Sequence, residues 1–437
     1  MYLHNKAANR LALPLKTSET FLFCTWPSAI RLMLNTSITS EQRKLIIVLS
    51  IFWGTLFGAL GIFFPYYSLY LRQELVLSGQ QVGAAMGVFY FVGLIGQPAW
   101  GYLADRTGAR KVLLVILCIG MALGFIAFWY VEKYSVLLLV SACFAAFYTS
   151  LIPQGMALGL GLLYRSDNSH FEYVRAFGSV GFLVTCFGFP YFLELMAHDP
   201  DDTELGLLFP CSAVIILITA VTVLFIPNQN IIREKAGAGS WRRLFGDTRF
   251  IRFFLYVFLA NFMLDGPMFM FPIFVESVAP EDPVGTLKWL WLIMLVPEIM
   301  IIAMAGHIRR RIGVRLLMFT GLAAGGVKWI VCGFWGENLT ILHGAMFIHS
   351  FYVVGALVAM PLYVNYLIPS DLRSTGQGLA TMISSSLGGG ICSNFAAGWL
   401  IDNVGPEAPQ IYGGIGALIL LCIAPFFVPK VMPQQSE

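Results

Sequence analysis

The chain has 437 residues, of which 58% are hydrophobic and only 12% charged, with a mean hydropathy of +0.75. Ordinary soluble domains carry about 25% charged residues, so a soluble fold is excluded. The formal net charge of +3 says little as a total, because its distribution among loops carries the information.

Apolar runs between charged breaks predict twelve spans: 45–71, 79–103, 112–131, 135–163, 171–193, 205–226, 250–276, 286–306, 316–334, 341–368, 376–401 and 410–429. Each is long enough to cross roughly 30 Å of hydrocarbon as a helix. Ahead of the first span, residues 1–43 read as a cytoplasmic tail, either disordered or preceding a true start at Met33. Ser78, before Gly-Gln-Gln-Val-Gly, is placed to cap the second span. Of the 27 Lys and Arg residues, 22 fall in the tail, the even-to-odd loops and the C-terminus, counting Arg252 at the start of span seven. That asymmetry predicts cytoplasmic termini, with the acidic loop His198–Glu204 on the opposite side, and a plasma (inner) membrane location is expected. The eight cysteines show no CxxC spacing, so neither a disulfide framework nor a metal site is expected, and no cofactor is implied.

The loops after spans two and eight repeat one another. In GYLADRTGARKVLL and GHIRRRIGVRLLMF, Gly101 pairs with Gly306, Arg106 with Arg311, Gly108 with Gly313 and Arg110 with Arg315, always 205 positions apart. This predicts two six-helix halves, residues 44–226 and 250–430, joined by a basic linker over 227–249.

GYLADRTGARK resembles the signature loop of the major facilitator superfamily. The resemblance implies that Asp105, Arg106 and Arg110, with Gly101 and Gly108, hold neighbouring helix ends together in one conformer. FFPYYSLYL, GQPAWGYLADRTGARK, FEYVRAFGSVGF, the Glu298 segment and FIHSFY look like stretches of the lactose, phenylpropionate and nucleoside–proton permeases, and LRSTGQGL like the last two. Covering about residues 45–430, the likeness implies an all-α fold of twelve transmembrane helices in two six-helix bundles, a cavity between them and proton-driven uptake.

Away from the span ends, four charged side chains and one histidine lie within spans: Arg175, Asp265, Glu298, Lys328 and His349. A charge at the bilayer centre costs about 2.5–3.5 kcal/mol on insertion scales, so these groups should face one another or water. Glu298 follows Pro297, which removes a helix donor, and a carboxylate beside a broken ladder suits both substrate hydroxyls and proton exchange. The resemblance implies substrate binding by Arg175 and Glu298, expected to face each other across the cavity. It also matches Lys328, Asp265 and His349 to charged or histidine positions of the related permeases. Departures are equally visible. The helix-four acid is absent, with Met156 in its place and Gln154 nearby as a further substrate contact. Tyr352 stands where lactose permease has its proton-carrying acid, and span eleven offers no lysine to Asp265.

The resulting expectation is a proton-coupled symporter for a small polar ring compound, nucleosides ahead of sugars, acting as a monomer in the lipid bilayer. Substrate contacts fall to Arg175, Glu298, Gln154, Lys328 and His349; the proton falls to Glu298, Asp265 or His349. The alternatives are a carrier of aromatic or other organic carboxylates, a uniporter, and a non-transporting sensor. No nucleophile elbow, P-loop or HExxH supports an enzyme, and no nucleic-acid partner is expected.

Overall fold

Water is missing from a bilayer core, so a spanning segment must satisfy its backbone N–H and C=O groups internally, which a helix does. In the computed structural model, residues 39–165, 171–197, 204–228, 244–368 and 372–429 are described. The tail to residue 38, most of the acidic loop and most of the basic linker lie outside them. The first half holds α1 (Ser40–Gln73), α2 (Gly79–Thr107), α3 (Arg110–Trp129), α4 (Tyr134–Arg165), α5 (Phe171–Met196) and α6 (Leu208–Leu224). The second holds α7 (Thr248–Phe269), α8 (Pro283–Ile312), α9 (Val314–Trp335), α10 (Leu339–Leu367), α11 (residues 373–403) and α12 (Ala408–Phe427).

Eleven helices among the described residues are long and apolar enough to span a membrane. The twelfth expected span is α11, α-helical over Arg373–Thr381 and Asn394–Asn403 but π-helical over Met382–Ser393. A Ser- and Gly-rich centre, SSSLGGG, leaves few side chains to hold a tight helix there.

Local chemistry moves three expected boundaries. Thr39 and Gln42 form a capping box, so α1 starts at Ser40, inside the expected tail 1–43. Asp247 caps α7 by accepting from the Arg249 N–H at 2.9 Å, so the second half starts inside the expected linker 227–249. Span seven, expected to run to 276, breaks at Met270 and resumes as a short helix, Phe271–Val278, whose second residue is Pro272. Ser78 caps α2 as expected, in a capping box with Gln81.

The packing repeats with a six-helix shift. In the first half α1 packs on α5 and α6, α2 on α4, and α3 on α4 and α6; in the second, α7 packs on α11 and α12, α8 on α10, and α9 on α10 and α12. Glycines permit the closest approaches: a Cβ on Gly181 of α5 would strike the Gly54 backbone of α1, and one on Gly321 of α9 the Gly355 backbone of α10. The repeated loops also share a backbone feature. Gly108 (φ 65°) and Gly313 (φ 81°) sit at equivalent helix ends in the positive-φ region that favours glycine.

The two bundles meet along α2–α11 and α5–α8. Hydrogen bonds, an ion pair and ring contacts join them in the half of the molecule nearer the acidic loop. Gly79 and Gly83 of α2 lie against Gly398 and Asn394 of α11, and Gly87 against the Phe395 ring. On the other seam Lys288 Nζ lies 3.3 Å from Glu194 Oε1 and 3.8 Å from the Tyr191 ring centre, while Trp289 meets Phe187 edge-on at 5.2 Å. The bundles are therefore joined at the acidic face.

Candidate functional site

The second half gathers four of the five embedded groups. Lys328 comes from GGVKWIV on α9, where Gly325 and Gly326 let α9 sit close to Leu264 and to α12. Its side chain is buried, with Nζ 3.1 Å from His349 Nδ1 on α10 and 3.4 Å above the Trp329 ring. Trp329 is itself fixed by donating its indole N–H to the Leu264 carbonyl at 3.1 Å. On the far side of the imidazole, His349 Nε2 lies 3.8 Å from Glu298 Oε2 on α8.

The donor inventory orders this chain. With Lys328 as an ammonium, which has donors only, His349 Nδ1 is the acceptor and the ring proton is assigned to Nε2, facing Glu298. The result is a row from Lys328 through His349 to Glu298. The Glu298 side chain keeps 19% of its exposure, whereas His349 keeps 6%. Its end of the row is the wet one. Pro297 beside it leaves the Ile293 carbonyl without its normal helix donor, adding a second acceptor one turn away.

Asp265 on α7 sits in a neighbouring niche. It accepts from the Tyr352 hydroxyl of α10 at 3.0 Å, and its carboxylate is pressed against Gly389 on the π-helical part of α11. The next glycine, Gly390, receives the Tyr90 ring of α2 from the other bundle, and Tyr90 in turn meets Phe269 at 5.6 Å. Any larger residue at Gly389 or Gly390 would displace Asp265 or Tyr90. Tyr352, which read in the sequence as a missing acid, is here the partner of an acid on another helix.

The first half contributes a cation on aromatic rings. The Arg175 guanidinium of α5 lies 4.0 Å from the Phe57 ring centre and 4.9 Å from that of Trp53, both on α1. Trp53 is held by edge contacts to Phe52 and Phe171. No ion pair joins Arg175 to Glu298 among the described residues. Gln154 on α4 is buried beside Gly101 of α2 and makes no described contact with Arg175 or with the α8–α10 row.

In the loop between α2 and α3, buried Arg110 bonds the half-exposed carboxylate of Asp105, Arg106 points to solvent, and Gly108 turns the chain. Asp105 and Arg110 thus hold the ends of α2 and α3 together. Sequence reasoning passed over Trp53, Phe57, Lys288–Glu194 and Asp402. The first two were signalled only by one-turn spacing on α1, and Asp402 by GWLIDNVG, which copies the pattern of GYLADRTG. Among the described residues no group of three His, Cys, Asp or Glu side chains is placed to hold a metal ion.

Comparison with known proteins adds to this geometry. Residues 46–409 match the profile of the MFS_1 like family. An uncharacterized transporter of Bacillus subtilis (strain 168), YwbF, is 26% identical over 379 residues, covering 86% of this chain and 91% of the relative. The maltose permease of Geobacillus stearothermophilus is 24% identical over 399 residues, covering 86% and 94%. Among solved structures, the nucleoside transporter NupG superposes with a TM-score of 0.77 at 15% identity, covering 88% of this chain and 99% of that one. That last likeness speaks for the fold alone.

Proposed function

This chain belongs to the MFS_1 like family and is a membrane transporter, not an enzyme; we propose that it couples inward proton movement to uptake of a small solute with a hydroxyl-bearing ring, a nucleoside or a sugar. The observation that carries this reading is the Lys328–His349–Glu298 row, buried at one end and wet at the other. When Glu298 is ionised it accepts hydroxyl hydrogen bonds and is balanced by Lys328 through the imidazole. When it takes a proton that balance is lost, and the two states favour different arrangements of α8, α9 and α10. A substrate ring bridging Glu298 and the Trp53–Phe57–Arg175 cradle would draw the bundles together. With the basic face cytoplasmic, the present conformer is the one joined on the outer side.

Sugars and nucleosides both satisfy these contacts. Nucleosides lead on the sequence resemblance, while the maltose permease relative supports a sugar. A second reading, transport of an aromatic carboxylate, is favoured by one specific feature: Arg175 rests on two rings with no ion pair among the described residues. The protein acts as a monomer in the plasma membrane with both termini cytoplasmic.

Uptake into proteoliposomes tests these statements together. Nucleosides, mono- and disaccharides and aromatic acids are offered with and without an inward proton gradient. Gradient-dependent accumulation of a nucleoside or sugar supports the main reading, and accumulation of an acid alone replaces it with the second. Equal entry with and without the gradient makes the protein a uniporter and ends the proton assignment.

A further inference from the structure

At the acidic face, the first turn of α2 is held by the other bundle. Gly79 and Gln80 are its first residues, and their backbone N–H groups have no partner within the helix. Both donate to one side chain, the carboxylate of Asp402 at the end of α11: Gly79 N to Oδ1 at 2.6 Å and Gln80 N to Oδ2 at 2.8 Å. A carboxylate spanning two amides at a helix start gains from charge-assisted bonding and from the helix dipole. Gly398, one turn before Asp402, lies against the Gly79 carbonyl, which brings the carboxylate within reach.

The middle of this seam lacks such a bond. Asn394 is fully buried there and donates Nδ2 to the Gly390 carbonyl of its own helix at 2.7 Å, while its Oδ1 has no partner among the described residues. Polar closure of the α2–α11 seam therefore rests on Asp402 at its outer end. The surrounding octet GWLIDNVG (398–405) repeats GYLADRTG (101–108): Gly, aromatic, Leu, Asp and Gly recur at the same spacing, 297 positions apart. The two copies end helices at opposite faces, and both closing glycines, Gly108 and Gly405, have positive φ.

We propose that Asp402 is a second, outward-side latch: a copy of the signature-loop aspartate that crosses between the bundles and sets how much of the protein is closed at the acidic face. The proposal rests on the transporter reading but not on the identity of the solute or on protons. Loss of the carboxylate frees two helix-end amides and removes the only hydrogen bonds that cross the α2–α11 seam among the described residues. The equilibrium then moves toward opening at that face and closing at the basic face.

Hydrogen exchange on the purified protein without any solute tests it. Asp402→Ala is compared with Asn403→Ala, whose side chain bonds only the Trp399 carbonyl of its own helix. A second variant, Gln80→Pro, removes one donor from the opposite side of the latch, at an exposed first-turn position where proline is tolerated. The expected result is about tenfold faster exchange in the α5–α8 seam (residues 187–194 and 286–291), which Asp402 does not touch, with slower exchange at the basic ends of α4 and α10; tenfold is the shift that losing one charge-assisted bond of about 1.4 kcal/mol produces. Change confined to residues 79–82 would show a frayed helix end and overturn the proposal. So would a uniform rise throughout, or an equal effect of Asn403→Ala. If Asp402→Ala does not yield a monodisperse protein, Gln80→Pro decides alone by the same readout.

Discussion

The two halves share a packing plan and differ in what they bury. In the first, rings fill the centre: Phe63 lies against Tyr67, Phe125 and Phe144, and Phe128 stacks on Phe209. One cation, Arg175, rests at the edge of that apolar mass on Trp53 and Phe57. In the second, the corresponding interior holds two carboxylates, an ammonium and an imidazole within direct reach of partners. A repeated scaffold thus carries a rigid aromatic wall in one half and a responsive charge network in the other. Packed rings have one good arrangement; a protonatable row has two, which is what a coupled transport cycle needs from one of its halves.

The sharpest way to break this contrast is Glu298→Gln. Gradient-driven accumulation should fall to background while solute exchange across the vesicle persists; accumulation that survives would move the proton to Asp265, and Asp265→Asn would then be the uncoupled variant. Next is Lys328→Met, which leaves buried His349 and partly exposed Glu298 without their cation. Breaking a buried pair costs about 3–5 kcal/mol, so thermal unfolding in detergent should shift markedly downward. Adding Glu298→Gln to Lys328→Met should recover part of the loss, and strict additivity would show that the two do not communicate.

The shared scaffold is tested by Gly181→Val, which drives a side chain into the Gly54 backbone between α1 and α5 and should cost about 1–3 kcal/mol. Gly188→Ala, with open space around its Cβ, should change the unfolding midpoint little. In the aromatic half, Arg175→Ala removes a cation–π contact worth about 0.5–2 kcal/mol, so solute affinity by calorimetry should weaken by up to about thirtyfold with coupling intact. The smallest effect lies outside the membrane. Arg249 bonds hold the Asp247 carboxyl below its usual range. Its contribution is therefore complete above the unfolded value, about pH 3.9, and is lost as pH falls through the lower folded one. Because the pair is partly exposed, Asp247→Ala should cost about 1 kcal/mol or less at pH 7, and the difference from wild type should shrink in unfolding scans below about pH 4.

Much of the architecture was legible in one dimension. Bilayer-length apolar runs, the Ser78 cap and the paired glycines at 108 and 313 are local or periodic properties, and the structure places a helix or a helix end at each. The five embedded groups were also legible, since a charge in an apolar run stands out whatever it faces. Helix continuity was less so: α11 reads as one apolar span, yet its Gly-Ser centre winds as π-helix. Partner choice was not legible at all. Tyr352 looked like a lost acid until α7 brought Asp265 to its hydroxyl, and Asp402 drew no notice until the start of α2 lay against it.

By itself, then, the sequence determined that the chain lives in a membrane, where it crosses, and which charged side chains must find shelter there, because hydrocarbon thickness and the cost of a bare charge act on each segment alone. Only the tertiary structure decided that Lys328 meets His349, that Glu298 keeps the wet end of their row, and that the bundles join at the acidic face. Those outcomes depend on the rotation and close approach of helices up to some three hundred residues apart, and no single segment carries that information.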